Sequence, residues 1–177
     1  MSVYRVTRQI EFCYGHRLLD YEGKCRHLHG HNGLAVIALE GGTLDRRGML
    51  VDFGDIKHSV QRWIDENLDH NMLLRRDDPI LPLLQAQGER VYVMEVNPTA
   101  ENIARLIFER TVAAGLPVIE VLLWETPNCN AAYSGPPTGG RGPEAIEGHD
   151  PASPARTRGP RQCAWPWPSS TGFVAGT

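Results

Sequence analysis

Cys25-Arg26-His27-Leu28-His29-Gly30-His31 runs without a break into Asn32-Gly33-Leu34-Ala35-Val36-Ile37-Ala38-Leu39-Glu40. The second half, from His31 to Glu40, reads as a strand that is apolar on both faces and so well covered. In the first half, His29 and His31 sit two apart, and an extended chain projects residues i and i+2 to the same face. Both imidazoles can therefore reach one ion. Gly30 between them has no Cβ to crowd a bound metal or substrate. Cys25 lies four residues before His29, near enough to join the same site. A borderline divalent ion, zinc above all, is the natural occupant of such a donor set. The competing reading is a surface turn that happens to contain histidines.

Towards the N-terminus, Tyr4, Val6, Ile10 and Phe12 alternate with polar residues, the period of a half-buried strand. If this strand pairs with the next as a hairpin, its far end brings His16, which follows it, close to His29 and His31. Three imidazoles leave a fourth zinc position open, the catalytic arrangement; Cys25 as a fourth ligand would give a closed, structural one. Both remain open on the residues alone. His27 faces away from the His29/His31 pair in an extended segment.

Towards the C-terminus, Gly41-Gly42 and the Asp45-to-Gly48 stretch supply turn chemistry. Ile56, Val60, Trp63, Ile64 and Leu68 fall at helical spacing, predicting an amphipathic helix that ends near Asp69. Pro98-Thr99 opens a second helix, with Thr99 as N-cap and Ile103, Ala104 and Ile107 on its buried side. Val118 to Glu125 is a third strand, and a short fourth follows a turn at Pro127-Asn128 and ends at Tyr133. The order is β-β-α-α-β-β: an α+β fold with two hairpins, a four-stranded antiparallel sheet and two helices. Four strands and two helices leave sheet edges to cover, which points to oligomerisation.

At 177 residues, 41% hydrophobic and 22% charged, the chain has room for one domain with a proper core. A net charge of −3 argues against broad capture of nucleic acid, which needs a clustered basic surface. No stretch approaches the roughly 20 apolar residues that span a bilayer, and Met1-Ser2-Val3-Tyr4-Arg5 lacks the pattern of a signal peptide. Cys13, Cys25, Cys129 and Cys163 form no paired framework, so free thiols in a reducing cytoplasm are expected. From Gly135 to Thr177 lie eight of the 18 glycines and eight of the 13 prolines, with no helical or alternating period. That segment is expected to be disordered, with Trp165-Pro166-Trp167-Pro168 its one unusual feature, and residues 1–134 carry the chemistry.

Other residues of that region have chemical potential. A cation beside Cys25 would favour its thiolate, a base or nucleophile. Asp69-His70 can act as an acid/base pair, the carboxylate orienting the imidazole, although His70 could equally cap the helix end. Glu125 shares a strand face with Ile119, Val121 and Leu123, where a bare carboxylate is costly and so calls for a partner or ligand. A heterocycle edge with two N–H donors would match its two oxygens. Glu120 is equally flanked by apolar residues on the other face. Thr99 and Glu101 read first as capping residues.

Taken together, His16, Cys25-x-x-x-His29-Gly-His31, Leu68-Asp69-His70, Pro98-Thr99-Ala100-Glu101-Asn102 and Glu125-Thr126 resemble, in order, the 6-pyruvoyltetrahydropterin synthase family. That family includes the bacterial 6-carboxytetrahydropterin synthases, and the resemblance covers roughly residues 3–134. It implies a tunnelling fold, with subunit sheets joined into a barrel and two trimers stacked as a hexamer. It implies zinc on His16, His29 and His31, Cys25 as the proton-abstracting thiolate, and Asp69 and His70 as an acid/base partner contributed across a subunit boundary. Glu125 is similar to the carboxylate that anchors the amino-pyrimidine edge of the pterin, and Thr99 to a flanking pterin contact. The implied substrate is 7,8-dihydroneopterin triphosphate. In the bacterial branch, favoured by the Glu-Thr-Pro-x-Cys-x-Ala-x-Tyr ending and by Cys25, the products are 6-carboxytetrahydropterin, acetaldehyde and triphosphate, on the way to queuosine. A subgroup linked to folate synthesis carries Glu in place of that Cys. One departure stands out: where the family usually has a small-residue pair before the first zinc histidine, this chain has Tyr14-Gly15. A ring there is expected to narrow or reshape the substrate side-chain pocket.

Overall fold

The computed structural model describes residues 2–136. All but the first two residues of the segment expected to be disordered, with its Trp-Pro pairs, therefore lie outside the described residues. Strand β1 (Tyr4–His16) pairs antiparallel with β2 (His29–Gly41) along its whole length, from Tyr4 opposite Gly41 to His16 opposite His29. Between them a 3-10 turn, Lys24–Arg26, carries Cys25. A helix follows in three sections, α1 (Phe53–Ile56), a π-helical turn (Lys57–Gln61) and α2 (Arg62–Asn67). Then come β3 (Asn71–Arg75), α3 (Leu81–Ala86), β4 (Val91–Met94), α4 (Ala100–Ala113), β5 (Val118–Thr126) and β6 (Cys129–Tyr133).

The sheet has six strands in the order β4-β3-β1-β2-β5-β6, not the four expected. The four expected strands form its antiparallel part. The two additions are short and parallel, β3 against the last residues of β1 and β4 against β3, so the sheet is mixed. Asn71-Met72-Leu73-Leu74-Arg75 shows no alternation because Leu73 and Leu74 are both buried, and a short apolar run of this kind does not announce a strand. Helix α3, opened by Pro82 in its first turn, was likewise not anticipated. His16 is the last residue of β1 rather than a residue beyond it, which places its direction under strand geometry.

One face of the sheet is packed. Ile10, Phe12 and Tyr14 of β1, Ala35, Ile37 and Leu39 of β2, and Val121 and Leu123 of β5 meet Ile56, Val60, Ile64 and Leu68 of the first helix and Ile103, Ala104 and Ile107 of α4. Thr99 caps α4 by accepting from the Asn102 N–H at 3.4 Å. The other face is barer than β2's double apolar pattern suggested. Leu34 and Val36 are only half-buried there, opposite the exposed Glu11 and Gln9 of β1.

Just past His16, the chain is held by an ion pair between half-buried Arg17 and buried Asp78. Arg17 Nε donates to Asp78 Oδ2 at 2.8 Å, a second guanidinium N–H reaches Oδ1, and the Ile80 N–H also donates to Oδ1 at 2.9 Å. Burial alone would raise the Asp78 carboxyl, but the Arg17 and Ile80 hydrogen bonds and the Arg17 charge outweigh it and hold it below the usual range. A folded value below the unfolded one means that the pair stabilises fully above the ordinary carboxyl range. That stabilisation fades as pH falls through the folded value. Asp78→Ala is expected to cost about 1–3 kcal/mol at pH 7, since it removes the acceptor of the Arg17 guanidinium and of the Ile80 N–H. Urea titrations should also show less loss of stability than in the parent below about pH 4.

Candidate metal centre and catalytic cavity

Tyr14, His16, His29 and His31 share one face of the β1/β2 hairpin, because Tyr14 lies opposite His31 and His16 opposite His29. Ligating nitrogens of the three histidines lie within 4.8 Å of one another. Two of the rings are fixed from behind. His16 Nδ1 is 2.6 Å from the Pro98 carbonyl oxygen and His29 Nδ1 is 2.8 Å from that of His27. A carbonyl oxygen can only accept, so each Nδ1 carries the proton and each Nε2 a lone pair. These two Nε2 atoms face each other at 3.1 Å. With no proton to share they repel, and a cation between them resolves the conflict. Tetrahedral zinc with bonds of about 2.0–2.1 Å sets its ligands roughly 3.3 Å apart, close to the spacing found. Burial lowers the pKa of His16, which is 2% exposed, against opposing contributions from the Pro98 carbonyl and Glu125. The ring is thus kept in the neutral, metal-binding form. The donor set fits a zinc ion.

Gly30 has a different role from the one expected. A Cβ there would lie 2.9 Å from the Tyr14 carbonyl oxygen, on the face away from the imidazoles. The glycine permits close pairing of β1 and β2 and leaves the space around the ion unaffected.

His16 also borders a cavity of about 330 Å³ that is lined by Cys25, Thr99, Glu125 and Cys129. Cys25 is half-buried, its turn tied down by the Leu18 N–H donating to the Cys25 carbonyl at 2.8 Å. It does not join the three converging histidines. Glu125 accepts from the Tyr14 hydroxyl at 2.7 Å, and the same oxygen lies 3.8 Å from His16 Nε2. Glu120 instead meets Ser134, at 3.4 Å, near the sheet edge. His27 is exposed and accepts from Arg26 Nε at 3.2 Å. Of the sequence candidates, therefore, His16, His29, His31, Cys25, Thr99 and Glu125 come together, and Glu101, in the first turn of α4, borders the same cavity.

Asp69 and His70 do not join them within one chain. They pack on the edge of β1 beside Cys13, whose side chain alternates to the face opposite Tyr14 and His16. Asp69 Oδ1 accepts the Cys13 N–H at 2.7 Å, Oδ2 lies 2.7 Å from His70 Nδ1, and the His70 N–H donates to the Cys13 carbonyl at 2.7 Å. Burial raises the pKa of Asp69, but the Cys13 N–H and His70 outweigh it, so the carboxyl sits below its usual range. His70 has φ of 55°, a left-handed conformation disfavoured outside glycine. Its side chain is 72% exposed. The pair is a formed carboxylate–imidazole couple that faces outwards.

Three features escaped the sequence reading. The Pro98 and His27 carbonyls that orient the ligands are backbone atoms, which no residue pattern marks. Cys129 enters the cavity from β6. Tyr14 is 3% exposed and donates to Glu125, and burial and the Glu125 charge push its phenol well above its usual value. Strand parity with His16 was the available signal.

Residues 5–136 match the family described as 6-pyruvoyl tetrahydropterin synthase. The chain belongs to this family. Within it, a protein of Rickettsia conorii named 6-carboxy-5,6,7,8-tetrahydropterin synthase is 42% identical over 132 residues, 71% of this chain and 96% of its own length. The Haemophilus influenzae protein of the same name is 30% identical over 139 residues, 74% of this chain and 99% of its own. Among solved structures, an uncharacterized protein from Wolinella succinogenes superposes with a TM-score of 0.64 at 29% identity, covering 76% of this chain and 99% of the other. The 6-pyruvoyl tetrahydropterin synthase of Caenorhabditis elegans gives 0.59 at 23% identity over 77% and 98%, a likeness of fold alone. The family fold is thus the tunnelling fold, carried here with six strands. No helix of the described residues is long and apolar enough to cross a membrane.

Proposed function

We propose that this chain converts 7,8-dihydroneopterin triphosphate to 6-carboxy-5,6,7,8-tetrahydropterin, acetaldehyde and triphosphate, a cytoplasmic step towards queuosine. The observation that carries the reading is the cavity in which a thiol, a carboxylate and the edge of a three-histidine metal centre converge. The choice of this reaction among those of the family leans on the relatives that bear its name.

Glu125 binds the amino-pyrimidine edge of the pterin through paired N–H donors, with Thr99 flanking the ring. Bound zinc on His16, His29 and His31 supplies Lewis-acid polarisation of the substrate's side-chain hydroxyls. Cys25 removes a proton from that side chain. Asp69 orients His70 through Nδ1, so that Nε2 is free to accept or return a proton. Because this couple faces outwards on its own chain, it serves the cavity of a neighbouring subunit. That arrangement accords with a hexamer built as a dimer of trimers, and with the half-bare face of β2, the edge strand β6 and the length of β1 before Tyr14 that β3 leaves unpaired.

Incubation with 7,8-dihydroneopterin triphosphate tests the proposal. Mass spectrometry should find 6-carboxytetrahydropterin, and a coupled aldehyde assay should find acetaldehyde in equal amount. Triphosphate release with a pyruvoyl product and no acetaldehyde would assign the sister reaction, 6-pyruvoyltetrahydropterin synthesis. Metal content without turnover would make the protein a zinc-stabilised pterin-binding assembly.

A further inference from the structure

Tyr14 is a buried phenol two residues before His16 on the same face of β1. Its ring stacks on Phe12 with centroids 5.3 Å apart and planes 25° from parallel, and it meets His16 edge-on at 5.3 Å. Gly33, directly across the hairpin from Phe12, makes room for it. A Cβ at that glycine would lie 2.9 Å from the Tyr14 ring. Held on two sides, with a space left for it in the next strand, the ring cannot swing, and its hydroxyl is a fixed point.

Glu125 differs in this respect. It reaches the site on a flexible side chain, from a stretch of β5 where the pairing with β6 is irregular between Trp124 and Thr126. Left to itself the carboxylate has two attractive orientations. It can turn its oxygens into the cavity, or it can rotate towards His16 Nε2, already 3.8 Å from Oε1, and towards any cation held there. The Tyr14 hydroxyl donates to Oε1 at 2.7 Å and takes one of that oxygen's two lone pairs. The other lone pair and both on Oε2 remain for a ligand.

We infer that Tyr14 is the positioning residue for Glu125: its hydroxyl holds the carboxylate off the metal centre and presents it to a ligand edge of two adjacent N–H donors. The inference rests on the proposed role of Glu125 as pterin anchor. The test is equilibrium binding of neopterin, fluorescent and free of phosphate, to the metal-loaded protein and to Tyr14→Phe, Glu125→Gln and the double variant. Metal content is measured alongside. Loss of a hydrogen bond to a charged group should weaken neopterin binding by about tenfold or more in Tyr14→Phe, with metal content unchanged. Acting through Glu125, the hydroxyl should contribute less once the carboxylate is replaced by a neutral amide, so Tyr14→Phe should cost clearly less beside Glu125→Gln than it does in the parent. Parent-like binding by Tyr14→Phe, or a Tyr14 penalty that persists in full beside Glu125→Gln, would overturn the inference and leave the anchor standing. Parent-like binding by Glu125→Gln, or no saturable binding by the parent, would remove the anchor itself and the inference with it.

Discussion

His29→Ala should lose its metal. Elemental analysis of the parent is expected to give about one zinc per chain, and of the variant close to none. Turnover should fall by at least about 10³-fold, the upper part of what loss of a positioned electrophile costs. Three protein ligands are the minimum for a catalytic zinc, and a site cut to two imidazoles has no closed geometry to fall back on. His29 is the better choice than His16 because it is only half-buried, whereas His16 lies in the packed end of β1. A second readout follows from the facing lone pairs. In the metal-free parent, His16 and His29 hold two unshared pairs 3.1 Å apart, so stripping zinc should lower the melting temperature. In His29→Ala that conflict is gone, and chelator should leave the melting temperature unchanged. A variant that kept full metal would show that the cluster is not the zinc site.

Much of this arrangement could be read from residue types and spacing because it lies on regular strands. The alternation of Ile10 and Phe12 extends through Tyr14 to His16, and the His29-x-His31 pair obeys the same period, so one hairpin register is enough to gather three imidazoles. Helix α4 was equally legible, since Thr99 and the Ile103/Ala104/Ile107 stripe mark its start and its buried side. What was not legible lacked period or side-chain identity. Strands β3 and β4 are five and four residues long and parallel, and Leu73 and Leu74 point to both faces, so no alternation separates them from a loop. The hydrogen bonds that fix His16 and His29 end on backbone carbonyls. Asp69 and His70 stood out as a pair, but their direction depends on a left-handed turn at His70, which sequence alone does not reveal in a non-glycine residue. That turn sets them on the outward side of β1, beside Cys13 and away from the three histidines.

Cys25→Ala should reduce kcat by about 10²–10⁴-fold, the range for loss of a positioned general base, while zinc content and neopterin affinity stay at the parent's level. This combination separates the two roles open to the thiol. A zinc ligand would take metal with it when removed; a base removes only the proton transfer. The geometry favours the base, because Cys25 borders the cavity of Glu125 and Thr99 yet stands outside the converging histidines. Cys25→Ser should be nearly as impaired, since a hydroxyl near neutral pH supplies almost no anion where a thiol supplies some. Cys129 provides the internal control. It is a second thiol on the same cavity, exposed and carried by the edge strand β6, and Cys129→Ser should retain most of the activity. If Cys129→Ser were the inactive variant and Cys25→Ala the active one, the proton-abstracting role would pass to the other wall of the cavity. The 3-10 turn that holds Cys25 would then serve only to close the hairpin.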